Sequence, residues 1–313
     1  MCNKCVVLSE VWALVFFRSK NHRLSKMSAT TVMFENSTRT YSQELADLLT
    51  TERDARTRDW FLAESLTPLF TILGVYLFFC IYAGPRIMRN RKAFELKNTL
   101  IVYNALQVVF SAVLVYEFYV SGWGHYNYKC EAVSYGTDPK SMRMARAVYL
   151  YYIAKLTELL DTVFFVLRKK ERQISFLHLY HHASMPLATL IGVQYFAGGQ
   201  GTIVCFVNSF IHIIMYAYYM LAAMGPKIQK YLWWKRYITI LQIVQFVIVF
   251  ILTIQIQFQP NCAYNKIIGI GLTLNASLFI YLFSAFYVES YKRENRKNIA
   301  NNGAKQAAAL KQD

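Results

Sequence analysis

Apolar residues gather into long blocks separated by short polar stretches, at about 66–83, 99–120, 147–167, 174–196, 202–224, 237–257 and 267–288. Each block is close to the roughly 20 residues that a helix needs to cross a bilayer. The pattern predicts an all-α integral membrane protein with seven transmembrane helices. The first is the shortest and opens at Pro68, a residue suited to a first helical turn. No linker, low-complexity tract or internal repeat divides the blocks, so residues 59–290 read as one membrane domain. Residues 1–58 read as a polar, weakly ordered N-terminal segment, and 291–313 as a basic tail. Within the former, residues 5–17 are apolar but short, hold Glu10 and precede no small-residue cleavage site. They read as a non-essential leader before Met27 rather than as a cleaved signal peptide.

Composition agrees with a membrane protein: 55% of the 313 residues are hydrophobic, 16% are aromatic, and mean hydropathy is positive. The net charge of +16 raises nucleic acid as a partner, but the distribution of charge argues against it. Loops 84–98, 168–173 and 225–236 and the tail 289–313 together hold 19 Lys/Arg. The opposite loops, with Arg53, Arg56 and Arg58 included, hold 8. The positive-inside rule therefore assigns the tail to the cytosol and the N-terminus to the other side, as an odd number of helices requires. Cys130 and Cys262 fall in two loops of that non-cytosolic side, where disulfides form, and are expected to pair. Asn36 is a glycosylation sequon on the same side, whereas Asn275 lies within the seventh block and should stay bare.

Polar side chains recur at helical spacing inside the blocks. The third holds Lys155, Glu158, Asp161 and Thr162, and the fourth holds His178, His181 and His182 at i, i+3 and i+4. The fifth holds Asn208, His212, Met215, Tyr216 and Tyr219; the sixth Thr239, Gln242 and Gln245; the second Asn104 and Gln107. Ionisable groups in a membrane helix are expensive and face a bundle interior, where they mark function by default. One or two polar residues suffice as glue between helices. Five consecutive polar stripes predict a polar chamber instead.

The histidines could be metal ligands, bases, nucleophiles or a structural network. A di-iron site needs roughly eight ligands, and only four of the six histidines lie in helices; His22 and His125 do not. A single zinc takes three or four ligands, but i, i+3, i+4 on one regular helix converges poorly on one ion. Without metal, a neutral imidazole in a dry chamber is a base and a nucleophile. Pro186 cannot donate to the carbonyl of residue 182, so a kink is expected beside His181 and His182, with a freed carbonyl to orient an imidazole.

With "KLTELLDT", "HLYHH", "HIIMYAYY" and "TILQIVQ" in that order, residues 60–290 resemble the very-long-chain fatty acid elongases of the endoplasmic reticulum. The resemblance implies synthesis of 3-oxoacyl-CoA from a long-chain acyl-CoA and malonyl-CoA, without metal or soluble cofactor. It implies helices 2–7 around a closed-ended tunnel, with helix 1 peripheral. Its implied partners are the two CoA substrates, the lipid bilayer, the other enzymes of the elongation cycle and a homo- or hetero-oligomer. His182 is then expected as nucleophile, with His181 and His212 serving malonyl decarboxylation and the enolate. His178, Lys155, Glu158 and Asp161 would orient the imidazoles. Asn208, Tyr216, Tyr219, Gln242 and Gln245 would line the substrate chamber, and Lys230, Lys235 and Arg236 would meet the anionic CoA head at its cytosolic mouth. The tail departs from a strict dilysine retrieval signal, since Leu310 and Ala309 precede Lys311. The competing readings are a seven-helix transporter or receptor, which leaves the clustered histidines unexplained, and a di-iron desaturase, which needs more of them.

Overall fold

The computed structural model describes residues 41–292. The expectations for the leader, His22, Asn36 and the tail beyond 292 concern residues outside that range. Helices account for all regular structure among the described residues. The longer ones are α1 (Tyr41–Thr50), α2 (Thr67–Met88), α3 (Lys97–Trp123), α4 (Pro139–Thr157), α5 (Leu160–Leu167), α6 (Phe176–Tyr195), α7 (Thr202–Ala223), α8 (Lys235–Phe258) and α9 (Lys266–Tyr291), with single turns at Glu171–Gln173 and Pro226–Gln229. A π-helical turn sits in α2 at Phe79–Ala83 and another ends α3 at Tyr119–Trp123.

Helix starts carry the side chains that free backbone N–H groups require. Asp138 accepts from the amides of Lys140 and Ser141 before α4. Ser175 accepts from the amide of His178 before α6, and Asn265 from Ile267 and Ile268 before α9. The end of α5 is a Schellman turn: Lys169 N donates to Val166 O and Lys170 N to Phe165 O, with Lys169 at φ 54°.

Five helices, α2, α3, α7, α8 and α9, are long and apolar enough to cross a membrane. The predicted runs at 147–167 and 174–196 are helical but fall outside that set. The first is divided between α4 and α5, and α4 begins with Lys140, Arg143 and Arg146; the second is diluted by its histidines. Outward positions of α3, such as Val102, Leu106 and Val109, are exposed and apolar, whereas Asn104, Gln107 and Ser111 are buried. α3 packs along α7, α7 on α8, α8 on α9, α4 on both α3 and α6, and α2 on α6. Phe279 of α9 reaches α6 through Tyr180 and His181.

Two expectations need correction. Residues 41–58 are not a loose segment. Glu44, only 3% exposed, accepts from the amide of Lys266 at the start of α9, and Asn265 Nδ2 donates to Glu44 O at 3.1 Å. Asp54 and Arg56 form a buried pair at 2.6 Å, and the Arg56 guanidinium also donates to Ser141 O and Ala197 O. Arg53 donates to Ala63 O and Glu64 O. These two arginines are committed to carbonyls and a carboxylate of the protein.

The second correction concerns the third apolar block, expected as one continuous helix. It breaks at Glu158–Leu159 without proline or glycine. Tyr103 of α3 donates to the Thr157 carbonyl at 3.3 Å, and the Asp161 amide bonds Glu158 O instead. A side chain inserted into the helical ladder is a recognised cause of such a break. In the loops beyond the helices, Cys130 and Cys262 are disulfide-bonded with Cα atoms 5.6 Å apart.

Candidate active site

The break in the third block turns its polar residues toward different partners. Lys155 and Glu158, at the end of α4, point at α7. Lys155 Nζ lies 2.8 and 2.9 Å from the two Glu158 carboxylate oxygens and 2.8 Å from Asn208 Oδ1. Asn208 also accepts from the Tyr151 hydroxyl at 2.8 Å, and its amide approaches Gln245 of α8 at 3.5 Å. His212 Nδ1 stands 3.1 Å from Glu158 Oε1. Lys155, Glu158, Asn208, His212 and Gln245 are all buried, so this charged pair is held in the protein interior. Such a pair persists only with close geometry and further hydrogen bonds, and both are present here.

Beyond the break, Asp161 accepts from the Tyr216 hydroxyl at 2.8 Å and engages Tyr103. Thr162 Oγ1 lies 2.8 Å from His178 Nε2 and 2.7 Å from the Tyr76 hydroxyl of α2. The predicted single face of Lys155, Glu158, Asp161 and Thr162 is thus three separate engagements.

α6 supplies the other imidazoles. The rings of His178 and His182 lie 4.1 Å apart, and those of His181 and His182 5.4 Å apart. His181 rests edge-on against Phe279 at 5.3 Å. Unlike His212, which is buried, His178, His181 and His182 are only partly buried. The α4–α5 segment touches both groups, with Glu158 meeting His212 of α7 at 3.1 Å and Thr162 meeting His178 of α6 at 2.8 Å. α6 runs through Pro186 without interruption, and Thr189 bonds back to Met185 O and Pro186 O. Among the described residues no three His, Cys, Asp or Glu side chains converge as a metal site would require.

The remaining predicted residues divide. Gln245 joins the network, and Gln242 of the same stripe donates to Met215 Sδ at 3.5 Å. Tyr219 is 39% exposed, at the accessible end of the α7 stripe. Lys230, Lys235 and Arg236 are exposed and stay apart from the network; Lys230 lies over the Tyr231 ring, and Arg236 lies over Tyr237 and donates to its hydroxyl. Asn104 bonds its own helix at Leu100 O, while Gln107 donates to Thr157 Oγ1 and the Tyr103 hydroxyl. Tyr76, Tyr103, Tyr151 and Thr157 belong to the network although sequence spacing did not single them out. Tyr151 is the one with a local signal, four residues before Lys155 on the same helix.

The arrangement couples a charged pair to one imidazole and gathers three further, partly accessible imidazoles on α6. That is equipment for nucleophilic and acid–base chemistry on a substrate held within the bundle.

Known proteins give the same direction. The ELO family, described as GNS1/SUR4, matches residues 61–299. A very long chain fatty acid elongase of Aedes aegypti is 47% identical over 249 residues, covering 79% of this chain and 69% of the relative. Very long chain fatty acid elongase 7 of Drosophila melanogaster is 46% identical, covering 82% of this chain and 78% of its own length. The rat protein of that name is 43% identical, covering 81% and 92%. With the family match spanning the entire helical region that carries the histidine site, this chain belongs to the ELO family of very long chain fatty acid elongases.

Proposed function

We propose that this chain is the condensing enzyme of fatty acid elongation, a 3-oxoacyl-CoA synthase that joins a long-chain acyl-CoA to malonyl-CoA. The observation that carries the reading is the buried Lys155–Glu158–His212 constellation beside the partly accessible His178, His181 and His182. An imidazole of His182 attacks the acyl thioester and releases CoA, leaving an acyl-imidazole. Malonyl-CoA then loses CO2, and the enolate carbon takes the acyl group, which frees the imidazole and yields 3-oxoacyl-CoA two carbons longer. His181 and His212 serve the decarboxylation and the enolate, and Glu158, held by Lys155, keeps His212 Nδ1 as its donor. Asp161 acts on the site through Tyr216 and Tyr103. No metal or soluble cofactor enters this scheme.

A covalent intermediate suits the substrates, because two bulky CoA groups need not occupy one mouth together. A dry chamber protects the acyl-imidazole from water. The neighbour order α3, α4, α6, α9, α8, α7 supports a reading of seven membrane helices, six of them closed around a tunnel. Asn208, Tyr216, Tyr219, Gln242 and Gln245 would line that tunnel, with Lys230, Lys235 and Arg236 at a cytosolic mouth. The charge distribution supports an endoplasmic reticulum membrane protein with its N-terminus in the lumen. The elongation-cycle enzymes and further elongase copies are its expected protein partners. Purified protein with malonyl-CoA and a panel of acyl-CoAs, analysed by mass spectrometry, should yield 3-oxoacyl-CoA two carbons longer than the acyl donor. Absence of that product across the panel overturns the proposal.

A further inference from the structure

Thr162 stands between two partners and has one proton to give. Its Oγ1 is 2.7 Å from the Tyr76 hydroxyl and 2.8 Å from His178 Nε2, both ordinary hydrogen-bond lengths. A hydroxyl donates once and has two lone pairs. Accepting from both neighbours would leave the proton of the fully buried Thr162 hydroxyl without a partner, since Tyr76 and His178 are the two it has. The three groups therefore form a directed chain. In one direction Tyr76 donates to Thr162, Thr162 donates to Nε2, and neutral His178 carries its proton on Nδ1. In the other, Nε2–H donates to Thr162, and Thr162 donates to the phenol oxygen. A phenol oxygen shares its lone pair with the ring and is a better donor than acceptor. The first direction prevails.

We infer that Tyr76 of α2 is a positioning residue that, through Thr162, fixes His178 as the Nδ1–H tautomer and so orients the imidazole pair His178–His182. The tautomer of a histidine is set by the hydrogen bond made at its other nitrogen. Because the His178 ring lies 4.1 Å from that of His182, its orientation bears directly on the proposed nucleophile. The helix expected to stand outside the chamber thus completes the histidine site. The packing supports a fixed relay: Thr162 is fully buried, Tyr76 is 5% exposed, and the π-helical turn begins three residues after Tyr76. π-helical turns recur at functional positions. Just beyond it, α2 approaches α5 so closely that a Cβ at Gly84 would meet Val166 Cγ1 at 2.6 Å, which holds the two helices of the relay in register.

The inference rests on reading the histidines as the reacting groups, but its first readout does not. Full-length enzyme labelled with 15N-histidine in nanodiscs reports each imidazole tautomer, and comparison with His178→Gln assigns the His178 signals. Wild type should show Nδ1–H at His178, and Tyr76→Phe, which keeps the ring and removes the hydroxyl, should lose that bias. In steady-state elongation the same variant should lower kcat about tenfold while KM moves less than about twofold. Thr162→Val should do the same, and the double variant should be no slower than Thr162→Val alone, because both act through one chain. Thr162→Ser should regain the Nδ1–H signal. Should Tyr76→Phe fail to fold, the Thr162→Val and Thr162→Ser pair reads the relay from its middle. An unchanged His178 tautomer and kcat in Tyr76→Phe, or a loss of thermal stability alone, overturns the inference. If wild-type enzyme makes no elongated product, the proposed function fails, and the tautomer comparison still decides the role of Tyr76.

Discussion

Removing one member of the Lys155–Glu158 pair should damage the protein more than removing the charges of both. Their side chains are 1% and 4% exposed, and the ammonium meets both carboxylate oxygens within 2.9 Å. In Glu158→Gln the ammonium stays buried without a counter-charge, with the neutral amide oxygen at 158, Asn208 Oδ1 and the Tyr151 ring, 4.7 Å from Nζ, as its company. In Lys155→Met the carboxylate is left with His212 Nδ1 at 3.1 Å. Breaking a buried ion pair from one side costs about 3–5 kcal/mol, whereas replacing both partners is often close to neutral. Each single variant should therefore lower the unfolding midpoint by on the order of 10 °C. The double variant Lys155→Met/Glu158→Gln keeps an amide oxygen for His212 and should be at least as stable as either single. The coupling from the double-mutant cycle should be on the order of 3 kcal/mol. Thermal unfolding in one detergent, with elongation measured on the same samples, separates the two roles: stability returns in the double variant, activity does not. Single effects that add within about 0.5 kcal/mol would refute the reasoning.

Reduction of Cys130–Cys262, which closes a separation of 132 residues, should lower stability by up to about 5 kcal/mol on the chain-entropy estimate. Maleimide labelling of both cysteines without prior reduction would contradict the bond. Activity should survive prolonged chelation, and purified protein should carry no stoichiometric iron or zinc; elemental analysis alongside chelator-sensitive turnover decides this. Glu44→Ala removes the acceptor of the Lys266 amide and should expose α1 to limited proteolysis while α2–α9 remain resistant. Equal protection of α1 in variant and wild type would show that this contact does not hold it.

What could be read from the sequence was whatever repeats at helical spacing. The imidazoles at i, i+3 and i+4 and the stripe from Asn208 to Tyr216 are intrahelical patterns; the structure buries the stripe and sets His178 against Thr162 of α5 and His181 against Phe279 of α9. Capping residues Ser175 and Asn265 stand within two residues of the predicted block starts at 174 and 267, whereas α4 begins after Asp138, well before the apolar block at 147, because its first turns are basic. The break at Glu158–Leu159 was illegible because its cause is Tyr103, more than fifty residues away on another helix. Tyr76 and Tyr151 were illegible for a related reason. A tyrosine in an apolar helix resembles packing until its hydroxyl has a partner, and each partner lies on a different helix. α1 was missed because a ten-residue helix is too short to be stable by itself and is held by tertiary contact, here through Glu44 to α9.

The central claim, an acyl-histidine intermediate, is tested most directly by giving the enzyme acyl-CoA alone. Free CoA should appear in an amount that approaches one equivalent per enzyme, and peptide mass spectrometry should find the acyl mass on the α6 peptide that contains His182. His182→Ala should lose both signals, while His212→Ala should retain them and fail only when malonyl-CoA is supplied. No CoA release from acyl-CoA alone, together with kinetics that require both substrates bound at once, would contradict the account and leave these histidines as bases only.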